Sequence, residues 1–352
     1  MCFRNGIIDL RSDTVTHPTP EMRAAMSEAE VGDDVFGDDY TVKKLEEMVA
    51  DMLGFESGLF VASGTMGNLV ALLTHCERGA EIIVGDRSHI FLHEVGGMAA
   101  LGGIHACQVR NQQDGKLALQ DIASAIREDD IHHPRTRLIC LENSQNACGG
   151  MTLTPEYTRS VAELAHRCGL KLHLDGARLA NAAAAQHVDL KSLTQGVDSV
   201  MFCMSKGLCA PVGSVLCGSR KFIEEARRNR KQVGGGMRQV GVLAAAGIVA
   251  LKTTAKRLGE DHANARLLAD GLRNIPGIIL DTNVPPTNMV YYHFAAENQV
   301  SEAEFFERLS KRGILAGRRL VTHYWITKED VSKVVSAFAE EMSNDHQMAN
   351  DG

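Results

Sequence analysis

Leu172-His173-Leu174-Asp175-Gly176-Ala177-Arg178 reads as a buried strand that ends on a carboxylate, and the rest of the chain can be read outward from it. Just upstream, Thr154 followed by Pro155 marks a helix start. Tyr157, Val161, Leu164, Ala165 and Cys168 then recur at helical spacing until Gly169 stops the helix. An apolar run at 137–141 precedes that helix, so strand, helix and strand follow one another as a βαβ unit. Further short apolar runs at 59–62, 81–84, 198–203 and 214–217 alternate with helical patterns. That alternation predicts an α/β fold with a largely parallel sheet.

After about residue 251 the pattern changes. A long amphipathic helix carries Leu258, Ala265, Leu268 and Leu272 on or near one face, and Pro276-Gly277 ends it. Strand-like runs at 289–294 and 320–326 flank a helix at 301–312, which predicts a small α+β unit. The expected division is therefore an N-terminal arm and large domain at 1–255, followed by a small C-terminal domain at 256–352. The polar stretch 344–352 is expected to fray. The alanine-rich run from Val240 to Leu251 falls short of the ~18–20 residues that span a bilayer and reads as a buried helix.

Composition excludes several classes. With 44% apolar and 23% charged residues, the 352-residue chain is neither disordered nor fibrous. Its net charge of −7, with no basic run of five or more, makes it a poor partner for nucleic acid or an anionic membrane. Nine cysteines at scattered spacings include no C-x-x-C pair, which suggests reduced thiols and no metal site. No charged and then apolar leader opens the chain, so a soluble cytoplasmic protein is expected.

Three places carry chemistry. Ser63-Gly64-Thr65 lies between a strand and a helix, where backbone N–H groups and the helix dipole suit a phosphate; an ordinary helix cap would look the same. The sequence lacks the glycine fingerprints of nucleoside triphosphate and dinucleotide sites. Asp175 stands at the carboxyl end of its strand, where α/β sheets bind ligands, and a buried carboxylate there needs a cation or a donor. It could hold a protonated ring nitrogen and Arg178 a ligand anion, or Asp175 could cap the next helix and pair with Arg178. Lys206, in Met201-Phe202-Cys203-Met204-Ser205-Lys206-Gly207, follows an apolar strand that should lower its pKa and let it form a Schiff base, unless it simply extends to the surface. The order of the three separates these alternatives. A phosphate cup, a strand-end Asp and a strand-end Lys 31 positions on suit pyridoxal 5′-phosphate (PLP).

Several longer motifs then stand together: Ile8-Asp9-Leu10-Arg11-Ser12-Asp13-Thr14-Val15-Thr16, Val31-Gly32-Asp33-Asp34-Val35-Phe36-Gly37-Asp38-Asp39, Asp175-Gly176-Ala177-Arg178, Ser205-Lys206-Gly207 and Gly234-Gly235-Gly236-Met237-Arg238-Gln239. With Arg319-Leu320-Val321-Thr322-His323 in the tail, they resemble the L-threonine aldolases, PLP enzymes of the aspartate-aminotransferase fold type. The resemblance runs from Ile8 to about His323. It implies a mainly parallel seven-stranded sheet and a homotetramer built from dimers, with active sites at subunit interfaces. It also implies cleavage of L-threonine or L-allo-threonine to glycine and acetaldehyde.

By the same resemblance Lys206 carries the cofactor, and Ser63, Gly64, Thr65, Asp175 and Ser205 belong to its site. His89 matches the histidine stacked on the pyridine ring, where its nitrogen could act on the substrate hydroxyl. His132 matches a histidine near the substrate side chain, and these two histidines are the candidate bases. Ser12, Arg178 and Arg319 match the groups holding the substrate carboxylate, for which an arginine fork is the natural partner. Lys231 and Arg238 match residues associated with the cofactor phosphate, reaching from a neighbouring subunit, although 227–231 also reads as a solvated basic run. His17, His93 and His173 receive no role.

Two positions depart from the pattern. Phe36 stands where many relatives have tyrosine, and Gln145 where they have histidine; both bear on side-chain preference and rate more than on reaction class. The rival readings are a β-eliminating lyase or an aminotransferase on the same fold, and a catalytically silent PLP binder.

Overall fold

The structure, a computed structural model, describes residues 6–296 and 301–350, with side chains to residue 343. Its strands in chain order are β1 (Ile8–Asp9), β2 (Ser57–Val61), β3 (Glu81–Gly85), β4 (His105–Val109), β5 (Thr136–Glu142), β6 (Lys171–Gly176), β7 (Ser199–Cys203), β8 (Ser214–Gly218), β9 (Ile278–Leu280), β10 (Met289–Phe294), β11 (Ile314–Leu315) and β12 (Arg319–Val321). The main sheet has seven strands in the order β2-β8-β7-β6-β5-β3-β4. All are parallel except β8, which runs against both neighbours. The reversal follows from the chain: the short β7–β8 link holds no helix, whereas a parallel return needs a crossover of about a dozen residues or more.

Strands β3, β7 and β8 are buried along their whole length, as expected for a sheet covered on both faces, and so most of their positions are apolar. The edge strand β4 was not apparent from sequence. His105, Ala106, Cys107 and Gln108 are exposed or half-buried and form no apolar run.

The helix over Pro155–Arg167 starts where expected. Thr154 accepts a hydrogen bond from the Tyr157 amide, and Gly169, at φ +71°, takes the left-handed conformation that ends it. The Gly64–His75 helix is capped by Ser63, whose hydroxyl accepts from the Met66 amide. It lies close against β7 because Gly67 has no side chain: a Cβ there would sit 2.5 Å from Met201 Cγ. The alanine-rich Gly241–Lys252 helix is buried against the Pro20–Ser27 and Tyr40–Leu53 helices.

A second sheet, β12-β10-β9, is antiparallel and packs with the Leu258–Arg273 and Lys328–Asn350 helices over a smaller core. Phe305 and Phe338 meet there edge to face at 5.3 Å, a pair worth roughly 0.5–1.5 kcal/mol beyond its buried area. Ile8 and Leu10 of the N-terminal arm also belong to this core, because β1 pairs with β11. β12, at Arg319–Val321, overlaps only the first two positions of the expected 320–326 strand. The chain then turns as Thr322 Oγ1 donates to the Asp261 carbonyl and a His323 ring nitrogen meets the Asp9 carbonyl. The final helix continues to Asn350 through most of the stretch expected to fray.

Candidate active site

Strand periodicity puts His173 and Asp175 on the same face of β6, opposite Leu172 and Leu174. Asp175 is buried and accepts from the Ala177 amide at 3.0 Å and from Asn68 Nδ2 at 2.9 Å. Asn68 Nδ2 also donates to Glu94 Oε1 at 2.8 Å, and the same oxygen meets His89 Nδ1 at 2.9 Å. One atom each of His89, Glu94 and Asp175 thus falls within a span of 4.8 Å. The hydrogen bond to Glu94 raises the pKa of His89 against the effect of burial. Burial raises that of Glu94, so the pair tends to retain a proton.

Glu142 lies beside Asp175 in the β5–β6 register. It accepts from the His89 amide at 2.8 Å and the Asn146 amide at 2.9 Å. Burial, and then the charge of Asp175, push it up to about 7.

Arg178 is held from the N-terminal arm. Its Nε and Nη2 donate to the two carboxylate oxygens of Asp13 at 2.8 and 2.6 Å, with both side chains buried. Burial opposes both charges, yet the pairing outweighs it: Asp13 is held well below the usual carboxylate range and Arg178 above its ordinary value. Ser12 sits next to this pair and caps the turn that carries Asp13. Arg319 donates to Asn146 Oδ1 at 2.6 Å and stands opposite Tyr291 in the β10–β12 register. Burial raises the Tyr291 pKa while Arg319 and Arg178 both pull it down, and the phenol donates to the Asn146 carbonyl.

Lys206 follows β7, and its carbonyl accepts from Thr16 Oγ1 at 2.8 Å. Its charge lowers the pKa of Asp13, His89 and Cys203. Ser205, half-buried, precedes it. At the start of the Gly64–His75 helix, the Gly64 and Thr65 amides precede the first helical hydrogen bond, made by the Gly67 amide to the Ser63 carbonyl. The glycine loop packs against that turn: a Cβ on Gly235 would lie 2.5 Å from Met66 Sδ.

Other expected residues stay outside the cluster in the single chain. His132 is 79% exposed and bonded to Asp130, and Arg238 pairs with Asp33 at the surface. Lys231 is exposed at the end of the Arg220–Gln232 helix. None of the three hydrogen-bonds to His89, Glu94, Asp175 or Glu142. Phe36 is 77% exposed. Gln145 is fully engaged: its Nε2 donates to the Arg87 carbonyl at 2.9 Å and its Oε1 accepts from the Cys148 amide at 2.8 Å.

Residues 9–295 match the beta-eliminating lyase family. A probable low-specificity L-threonine aldolase 2 of Arabidopsis thaliana is 48% identical over 340 residues, covering 94% of this chain and 96% of that protein. The chain belongs to the L-threonine aldolase family. Members of that family are lyases, and this one shares the fold of two solved structures. Leishmania major threonine aldolase superposes with a TM-score of 0.79 at 21% identity, over 95% of this chain and 99% of that one. A serine palmitoyltransferase from S. paucimobilis, solved with bound PLP and myriocin, superposes at 0.74 and 18% identity, over 96% and 88%. Among the described residues, no helix of this threonine aldolase family member is long and apolar enough to cross a membrane.

The sequence reading missed Asn68, Glu94, Glu142, Asp13 and Tyr291. Asp13 stands in the Ile8–Thr16 motif without a role of its own, and Asn68 is a polar residue in the otherwise apolar run Asn68-Leu69-Val70-Ala71-Leu72-Leu73.

Proposed function

We propose that this lyase uses PLP to cleave L-threonine or L-allo-threonine into glycine and acetaldehyde. The observation that carries the reading is Asp175, a buried carboxylate whose hydrogen-bond partners, Asn68 and the Ala177 amide, are both neutral. Such a group calls for a cation, and a protonated pyridine nitrogen is one. Lys206 Nζ would hold the cofactor aldehyde carbon, His89 would lie on its ring, and the Ser63-Gly64-Thr65 turn would take its phosphate. Bound there, PLP would supply an electron sink for the pair released at the substrate Cα.

The chain's own groups supply the rest. Arg178, oriented by Asp13, and Arg319, oriented by Asn146, would grip the substrate carboxylate together with Ser12. Fixing the carboxylate decides which bond at Cα stands across the ring. With Nδ1 turned to Glu94, His89 has Nε2 left to accept the β-hydroxyl proton as the Cα–Cβ bond breaks and acetaldehyde departs. A proton delivered to Cα completes glycine.

His132, Lys231 and Arg238 would complete the site from neighbouring subunits of a homotetramer. The exposure of the large apolar side chains Phe36 and Val95, at 77% and 97%, is apolar surface that a subunit interface would cover. Incubating the purified protein with each threonine diastereomer tests the function. Equal glycine and acetaldehyde without added 2-oxo acid are expected, whereas 2-oxobutyrate as the main product would establish an eliminating lyase. A requirement for an acceptor would establish an aminotransferase.

A further inference from the structure

We propose that Asn68, His173 and Ser199 are positioning residues for Asp175, joined with His75 in one hydrogen-bonded line whose every donor points toward that carboxylate. The inference rests on the reading of Asp175 as the partner of the PLP ring nitrogen.

The line is built by two periodicities. Asn68 and His75 are seven residues apart on the Gly64–His75 helix, hence on one face, and that face packs on β7 and β6. His173 stands two residues before Asp175 on the same side of β6, and Ser199 lies opposite His173 in the β6–β7 register. The contacts run without a gap. His75 Nε2 meets Ser199 Oγ at 2.7 Å, Ser199 Oγ meets His173 Nδ1 at 2.8 Å, and His173 Nε2 meets Asn68 Oδ1 at 3.1 Å. Asn68 Nδ2 then meets Asp175 Oδ2 at 2.9 Å.

The donors can be assigned from the far end. Asn68 Nδ2 faces two carboxylates, Asp175 and Glu94, so it is the amide nitrogen and its oxygen faces His173. An amide oxygen only accepts, so His173 carries its proton on Nε2. Burial, and then the nearby His75, lower the His173 pKa to about 3, so the ring is neutral and its Nδ1 must accept. Ser199 therefore donates its hydroxyl proton to His173 and accepts from His75, which is also neutral because burial lowers it to about 4. Asn68, His173 and Ser199 are all fully buried, and His75 at the outer end borders an open cavity of about 1280 Å³ that Lys171 and Asp198 also line.

A histidine that merely filled the core would be satisfied by any two partners. Here each dipole is turned the same way, with its positive end toward the Asp175 carboxylate, which fixes the direction of that group's free lone pairs. Ser199→Ala removes the donor to His173 Nδ1 while losing a single oxygen. His173→Leu cuts the line, and His173→Gln can keep both contacts. The measurements are the PLP dissociation constant, kcat and KM, with Asp175→Asn as reference. We expect Ser199→Ala and His173→Leu to lower kcat by about tenfold, on the order of one hydrogen bond of the line, and to weaken PLP binding. KM for threonine should hold, and His173→Gln should recover most of the loss. If His173→Leu does not fold, Ser199→Ala decides the matter. Wild-type kcat and PLP affinity in Ser199→Ala, alongside a damaged Asp175→Asn, would overturn the relay. If Asp175→Asn itself keeps both values, the reading of Asp175 fails instead.

Discussion

Asp13 and Arg178 face each other through two hydrogen bonds of 2.8 and 2.6 Å, across 165 positions of sequence, in a place sealed from water. The pair ties the N-terminal arm to the end of β6, and it commits one edge of the guanidinium, Nε and Nη2, before any substrate arrives. The arginine expected to bind a carboxylate is thus already turned by one. Breaking such a pair strands a buried charge, so Asp13→Asn should lower stability by roughly 3–5 kcal/mol at neutral pH. The sign with pH follows from the depressed folded-state pKa of Asp13. Its contribution is present above the unfolded value of ~3.9 and lost as pH falls toward the folded one. Urea midpoints of wild type and Asp13→Asn should therefore converge in acid. A constant gap from neutral pH to acid would remove Asp13 from the account.

Lys206 is expected to be the lysine that PLP labels. The purified protein should absorb in the ~400–430 nm region, and borohydride should fix the cofactor covalently. Lys206→Ala should abolish the label while the fold persists. Peptide mapping of the adduct to another lysine would move the assignment.

Arg319 spends one N–H on Asn146 Oδ1 and another on the Arg11 carbonyl, so its fork is held at a fixed angle beside Tyr291. Arg319→Ala should raise KM about tenfold or more, the loss of a charge-assisted bond, with a smaller effect on kcat. Arg319→Lys should recover little, since a point charge cannot hold Asn146 and a substrate carboxylate together. Unchanged kinetics in both variants would place Arg319 outside the pocket.

What could be read from sequence and what could not divides along a physical line. Strands β3 and β5 to β8 announce themselves because strands covered on both faces need apolar side chains at nearly every position. The edge strand β4 carries no such need and left no signal. Asp175 and Lys206 were legible because each sits at the end of an apolar run, where a charge is conspicuous. Their supports were not: Asn68 reaches Asp175 across 107 positions, and Asp13 reaches Arg178 across 165. Glu94, in Leu92-His93-Glu94-Val95, reads as an ordinary polar residue until the fold turns it inward. Pattern shows where a side chain must be apolar; it does not show which distant polar group answers a buried one.

The pairing of His89 with Glu94 gives the last prediction. His89 Nδ1 lies 2.9 Å from Glu94 Oε1, and that bond is the largest influence raising the His89 pKa, with burial acting against it. The carboxylate thus does two things at once: it fixes the ring so that Nε2 is the nitrogen available to the substrate, and it makes that nitrogen a stronger base. Glu94→Gln keeps the size and one acceptor but removes the charge. Burial then dominates, and the His89 pKa should fall. A base works only above its pKa, so the acid limb of kcat/KM should move to lower pH in Glu94→Gln. The plateau should drop at the same time, because the weaker base takes the hydroxyl proton less readily. The two groups titrate as a pair, and the limb reports the pair. Binding of PLP should change less than kcat, since Asp175 and Lys206 keep their places. A pH profile superimposable on the wild type, in limb and in plateau, would show that Glu94 does not act through His89.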